Sequence, residues 1–299
     1  MRDGVAAVRW LQRLLWLALM VLPALAATQS PAPGGAARAD SQQAELLGLV
    51  NGVRRAGCAA HPAAAGALQF NDALSQAARL LAQGEQLEPA LRQARYKANR
   101  SVMLVLQGYD RPSALSGVLG GSYCGHVLNP ELQELGAFQR GGTLWLVLAA
   151  PFAPPPADQA DTVARQVLHL VNAARGQPRR CGAQSYAATG ALRLNPLLSA
   201  AALNHARDMA RNDFFDHTGS DGSTPAQRLG RTTYAWRAVG ENIASGQNTP
   251  ADAVEGWIKS PGHCANLMAP GFREMGLAYA VNRDSRQGIY WVQVFAAAR

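Results

Sequence analysis

The second half of the chain carries the clearest patterning of apolar and polar positions. Between Val163 and Ala174, the apolar residues Val163, Val167, Leu170 and Val171 recur three and four apart, the spacing of one helix face. A second helix is predicted over Pro196 to Asn212. Asn195 is placed to cap it, Pro196 takes the first helical position, where no N–H is needed, and Leu198, Ala202, His205 and Met209 share a face. That face reads His205 as a core histidine, packed or hydrogen-bonded, ahead of a ligand role. Thr224-Pro225-Ala226-Gln227 has the capping-box pattern of a short helix. Thr249-Pro250 opens another, running to Lys259 and stopped by Ser260-Pro261-Gly262, with His263 just past its end. GLAYAV, from Gly276 to Val281, and GIYWVQVF, from Gly288 to Phe295, are strand-like segments either side of a polar turn and predict a hairpin. Helices interleaved with a few antiparallel strands give the α+β class.

The first half repeats the plan. Leu46 to Cys58 parallels Leu168 to Cys181, and Ala67 to Ala82 parallels Ala191 to Ala206 with Ala67, Leu68, Asn71, Leu74, Ser75, Ala77, Ala78 and Ala82 identical. Cys124-Gly-His126 echoes Pro261-Gly-His263, Glu134-Leu-Gly136 echoes Glu274-Met-Gly276, and Trp145 echoes Trp291. A tandem duplication follows, with a degenerate copy over 41–152, a poorly packed proline-rich linker over 153–161 and the fuller copy over 162–299. The first copy has nothing like the loop around His217. Where the second reads Gly240-Glu241-Asn242-Ile243-Ala244, the first is expected to offer Arg100-Ser101-Val102-Met103. It is read as retained for packing against or covering the second copy; the alternative is a different ligand site in the region Glu85 to Gly121.

Arg2, Arg9 and Arg13 precede an apolar run from Leu14 to Ala27, the layout of a signal peptide cut near Ala26 or Ala27. The run is shorter than the roughly 20 residues of a spanning helix, so no membrane span is expected after cleavage. No cysteine follows directly, so no lipid anchor is expected either. Residues 28–40, rich in proline, glycine and alanine, are predicted to be a disordered leader. Four cysteines in an exported chain point to disulfides, and of the three pairings the repeat favours Cys58 with Cys124 and Cys181 with Cys264. A nucleophilic Cys264 beside His263 would instead need a free thiolate. Net charge is +8, yet lysine occurs only at 97 and 259 and no dense basic run or basic-aromatic alternation appears, so nucleic acid is not an expected partner.

Candidate chemistry gathers between Phe214 and Gly276, where His217, Glu241 and His263 are expected on three separate loops around one cleft. There is no G-x-S-x-G elbow, no phosphate-cradling glycine loop and no EF-hand spacing. The segments H-T-G-S-D-G (His217 to Gly222), G-E-N-I-A (Gly240 to Ala244), W-I-K-S-P-G-H-C-A-N (Trp257 to Asn266) and Y-W-V-Q-V-F (Tyr290 to Phe295) together resemble the CAP superfamily, the cysteine-rich secretory or SCP-domain proteins, in its bacterial branch. The resemblance implies a three-layer α-β-α sandwich, here twice in tandem, and a cleft lined by histidines and acids that in some members binds zinc. Carried over by position, His217, Glu241, His263 and Tyr290 line the cleft, Tyr290 standing where eukaryotic members carry a histidine, and His217 and His263 are the metal ligands. Two imidazoles and a carboxylate make a sound first shell for Zn²⁺, or Glu241 could act as a base beside the ion. The bland alternative is that the trio ties three loops together without metal or turnover. Lipid, cell-wall material or a protein is the implied ligand of a secreted or periplasmic, non-catalytic binding module, with a zinc-dependent hydrolase as the rival and a purely structural envelope protein as a third class.

Overall fold

The computed structural model describes residues 33–58, 62–63, 66–108 and 115–299. The expected signal peptide, residues 1–27, lies outside them. The chain divides into Met1–Ser41 and Gln42–Arg299, and both sheets and the site belong to the second unit. Helix α1 runs Pro33–Ala56 and so begins inside the segment expected as a disordered leader.

In the second half, α6 (Ala160–Arg175), α7 (Pro196–Asn212), α8 (Pro225–Gly230), α9 (Pro250–Lys259) and α10 (Pro261–Met268) surround a sheet of β7 (Arg193–Leu194), β8 (Trp236–Ser245), β9 (Glu274–Val281) and β10 (Ile289–Ala298). The strand order is β7-β9-β10-β8, and a small β5 (Arg179–Cys181)–β6 (Gln184–Tyr186) ribbon stands apart from it. β10 pairs antiparallel on both sides and is buried on both faces, which is why its sequence is almost continuously apolar. Trp291 and Phe295 enter one core with Val163, Val167 and Val171 of α6, Trp257 of α9 and Leu267 of α10. Tyr290, Val292, Val294 and Ala296 enter the other with Leu198, Ala202 and Met209 of α7 and Leu229 of α8. Two helical layers thus sandwich the sheet, the three-layer α+β arrangement expected. Each fully buried large side chain contributes roughly 1.5–3 kcal/mol to holding it.

Local signals were realised as read. Asn195 Oδ1 accepts from Leu197 N (2.9 Å) and Leu198 N (3.4 Å), and the Thr224/Gln227 capping box forms in both directions. Close packing of α7 on β9 depends on Gly276, because a Cβ there would lie 2.1 Å from the Leu198 carbonyl carbon and 2.2 Å from Ser199 N.

The first half places β1 (Gln69–Phe70), β2 (Ala98–Gln107), β3 (Glu134–Arg140) and β4 (Thr143–Pro151) in the order β1-β3-β4-β2. With α1, it carries α2 (Asp72–Leu81), α3 (Leu87–Gln93), α4 (Leu115–Gly120) and α5 (Cys124–Val127). Gln69 pairs with Glu134 as Arg193 pairs with Glu274, both parallel. Arg54, from α1, is fully buried and donates to the carbonyls of Gly66, Val127, Asn129 and Leu132. Arg175, from α6, does the same to Gly190, Leu267, Ala269 and Phe272, and burial holds its pKa down to about 10. Disulfides join Cys58 to Cys124 and Cys181 to Cys264, the pairing expected.

Two expectations are corrected. Gly136 and Gly276 stand opposite Val147 and Val294, and across the next strand these face Met103 and Glu241. Met103 therefore occupies the place of Glu241, and the G-E-N-I-A counterpart is Val102 to Leu106, two residues later than the sequence suggested. The expected linker is also not extended throughout: Ala157–Gln159 form a 3-10 turn and Ala160 begins α6, while residues 153–156 are half-buried or exposed. Phe152 is buried in the second half's core, Tyr279 Oη donates to Pro156 O, and Asn248 Nδ2 donates to Pro151 O at 3.0 Å. Proline lacks a donor but keeps its carbonyl, and Pro156 O is the linker atom that accepts from the second half.

Candidate functional site

Glu241 sits on β8, an edge strand, and its position opposite Val294 turns its side chain to the α7 face. The carboxylate is only 2% exposed. Oε1 lies 2.9 Å from His217 Nδ1, and Oε2 accepts from Arg228 Nη2 at 2.7 Å. His205 Nε2, from α7, stands 3.9 Å behind Oε1 and makes its own hydrogen bond, 2.9 Å, to Asp216 O. Glu241 is therefore on a strand, not a loop, and is enclosed by three cationic or imidazole side chains.

His217 lies on the loop between α7 and α8, and the loop is held by its own polar residues. Asp216 Oδ1 accepts from Thr218 N (2.6 Å) and Asp221 Oδ1 from Ser223 N (2.9 Å), both Asx turns. Gly222 takes φ +76°, the left-handed turn that closes Gly222 N onto Gly219 O at 2.8 Å. Asp208 of α7 accepts from Ser220 N (2.8 Å) and Oγ (2.6 Å), pinning the loop to the helix. Arg228, near the end of α8, donates to Ser223 O (2.6 Å) and His217 O (2.9 Å) as well as to Glu241. A carboxylate only accepts, so His217 Nδ1 carries the proton of this bond, and in the neutral ring Nε2 is left as a bare lone pair. The His217 side chain is 49% exposed.

His263 is not beyond a helix end. Ser260 breaks the chain into an extended conformation (ψ 120°), and Pro261, at the first position of α10, starts a new helix with His263 in its first turn. The same proline that the sequence suggested as a stop acts as a start. The disulfide from neighbouring Cys264 to Cys181 anchors this turn, and Asn242 Nδ2 donates to His263 O at 3.1 Å. The rings of His217 and His263 are 6.4 Å apart at their centroids, inclined by 54°. Burial, then the proximity of His217, lowers the His263 pKa, keeping its ring neutral at pH 7. Burial likewise lowers that of His205, against the opposing pull of Glu241. With Nε2 committed as donor to Asp216 O, His205 Nδ1 is a buried acceptor without a partner.

The trio His217, Glu241 and His263 thus converges, but with divided roles: the two imidazole rings stand side by side, and Glu241 is buried behind His217. It does not stand beside the two rings as a third ligand, because its carboxylate is buried behind His217. Among the described residues no group of three or more His, Cys, Asp or Glu side chains is arranged to hold a metal ion. The two imidazoles fit a metal as partial ligands only. Tyr290 is not in the cleft. It lies four residues along β10 from Val294, roughly 13 Å at the strand rise, is fully buried in the α7 core, and its hydroxyl donates to Asp213 Oδ1 at 3.0 Å. His205 is core, as expected, yet also backs the carboxylate. Sequence reasoning missed Arg228, which nothing in the spacing separates from the surface arginines. It also missed the amide chain Gln293–Asn242–Asn266, in which Asn242 Nδ2 donates to Gln293 Oε1 (3.2 Å) and Asn266 Nδ2 to Asn242 Oδ1 and Glu241 O (both 3.1 Å). Polar residues in an otherwise apolar strand were the available signal. No helix among the described residues is long and apolar enough to cross a membrane.

Comparison with known proteins bears on the family and the fold. The sequence model of the cysteine-rich secretory protein (CAP) family matches residues 168–295. The uncharacterized protein YkwD of Bacillus subtilis (strain 168) is 32% identical over 104 residues, 35% of this chain and 38% of that protein. The uncharacterized membrane protein YlbC of the same organism is 32% identical over 76 residues, 25% of this chain and 22% of that protein. The chain thus spans well under half the length of these curated relatives. The crystal structure of Na-ASP-1 superposes with a TM-score of 0.55 at 15% identity, covering 86% of this chain and 89% of that one, a likeness of fold. These findings support a CAP/SCP domain in the second half of the chain, over residues 168–295.

Proposed function

We propose that the protein is an exported tandem of two CAP-type units, in which the second is a non-catalytic binding module and the first is a copy that has lost the cleft. The common strand order, the paired buried arginines Arg54 and Arg175 and the matched glycines Gly136 and Gly276 support the duplication. Two disulfides suit an oxidising compartment. Met103 in the place of Glu241 is what empties the first copy of chemistry.

The single observation that carries the binding reading is the double engagement of Glu241. A carboxylate 2% exposed, bonded to His217 through one oxygen and to Arg228 through the other, is placed to hold and orient His217 and is shielded from the water it would have to activate. Catalytic zinc sites have three protein ligands and an open position; here two imidazoles are offered. His217 and His263 are the residues that would hold a zinc ion, with Glu241 orienting His217, but the binding reading does not require the metal. We infer lipid, cell-wall material or a protein as the ligand class, from the resemblance to the family.

The test presents the purified protein, with chelator, to vesicles of anionic bacterial phospholipid and to isolated peptidoglycan, beside a His217→Ala/His263→Ala double variant. Retention on either that survives chelation and is lost in the variant is the expected result. Zinc-dependent turnover of ester or amide substrates that vanishes in His263→Ala would establish the hydrolase instead. Zinc calorimetry on the same pair of proteins reads the metal separately.

A further inference from the structure

Among the described residues, the large exposed apolar side chains of the first half fall on one strand. Met103 (41% exposed) and Val105 (36%) both belong to β2, the edge strand of the first sheet. Gly108 N donates to Gly142 O at 2.8 Å, and Gln107 pairs with Thr143, so the even-numbered residues of β2 direct their N–H and C=O toward β4. Ser101, Met103, Val105 and Gln107 turn theirs outward. On the second sheet the outward residues of edge strand β8 include Glu241 and Ile243, and their carbonyls are capped by Asn266 Nδ2 and Trp257 Nε1, each at 3.1 Å. No side chain among the described residues caps Met103 or Val105 in this way. From Ser101 to Gln107 the strand reads SVMLVLQ, without the charge, proline or bulge by which sheet edges are ordinarily blunted.

We propose that β2 pairs antiparallel with β2 of a second copy of this chain, joining the two first-half sheets into one of eight strands. Backbone donors and acceptors spaced two residues apart fit an extended polypeptide. The choice of a second copy rests on self-complementarity. A two-fold axis at Leu104 sets Met103 opposite Val105 of the partner subunit and Ser101 opposite Gln107 of the partner subunit. Apolar side chains then meet at the centre, polar ones at the ends, and no like charges face each other. Arg100, the nearest charge, is already paired with Glu131 at 2.5 Å. So short an edge is a small interface, and dissociation is expected on the order of micromolar.

Sedimentation velocity on the purified protein across the micromolar range should show its average mass rising from monomer toward dimer. Met103→Lys and Val105→Glu should each weaken association roughly tenfold or more. Mixing the two variants should restore it, because position 103 of one faces position 105 of the other. Both positions are exposed, so unchanged circular dichroism and melting are expected of each variant. Amide exchange on the unsubstituted protein gives a second reading: protection at Met103 and Val105 should increase with concentration. A monomer at every concentration overturns the proposal, as does a dimer indifferent to both substitutions. Protection of these amides in the dilute monomer would also overturn it, since a segment of the same chain would then be covering the edge.

Discussion

Replacing Arg228 by methionine should be among the most damaging single changes in the second half, and a double-mutant cycle with Glu241 isolates the reason. Arg228 is 7% exposed and Glu241 2%, and their 2.7 Å contact is one of the two that satisfy the carboxylate. Removing the guanidinium strips a buried charge of its partner and also frees the carbonyls of Ser223 and His217. Breaking a buried pair from one side costs about 3–5 kcal/mol. Glu241→Gln keeps the shape but removes the charge, and should cost about 2–3 kcal/mol through the weakened bonds to Arg228 and His217. In the double variant no charge is left stranded, so the loss should fall short of the sum by at least about 2 kcal/mol. Urea unfolding at pH 7, with m compared among the four proteins, measures this. Additivity within about 0.5 kcal/mol would refute the idea that Arg228 acts by neutralising Glu241. Nitrogen chemical shifts of the His217 ring provide a second check: the Nδ1–H tautomer should dominate in the parent and lose its preference in Glu241→Gln.

Gly276→Ala should destabilise by about 3 kcal/mol or more, because the added carbon meets helix backbone at 2.1 Å and not a side chain that can swing away; a change below about 1 kcal/mol in a melting series would contradict the packing described. Cys181→Ala/Cys264→Ala opens a link spanning 83 residues and should lower stability by about 2–5 kcal/mol, with His263 losing its anchorage, as read by denaturation and by the His263 ring resonance. Stability should also fall as pH drops below about 6.5. The folded pKa of His205 is depressed, so the unfolded chain takes up the proton first; stability is full above the unfolded value and declines as pH falls through it. The slope attributable to His205, up to about 1.4 kcal/mol per pH unit, should vanish in His205→Gln, which keeps a donor for Asp216 O; an unchanged slope would show that burial, opposed by Glu241 and Asp208 and aided by Arg228, does not depress the ring's pKa.

Local chemistry was legible wherever it acts over a few residues. Asn195 before Pro196, Thr224 before Gln227 and the apolar, aromatic run of Gly288 to Phe295 each specify a cap or a strand without reference to the rest of the chain. The convergence of His217, Glu241 and His263 was readable as well, through motifs in a fixed order. Which half of a break a proline serves was not. Pro261 ends α9 or begins α10 by the same ring constraint, and only the extended Ser260 decides between them. Nor did the sequence place Tyr290, since the face of β10 it occupies follows from register, and a shift of one residue would send every side chain of the strand to the other layer.

By itself the sequence determined the α+β elements, the disulfide pairing and the three residues that meet, because caps, periodicity and repeated motifs are local or self-referential. Tertiary structure alone decided what those residues do. The burial of Glu241 between His217 and Arg228 depends on an edge strand, a loop pinned by Asp208 and a short helix arriving together, and a carboxylate's partners are set by distance in space, which spacing along the chain does not encode.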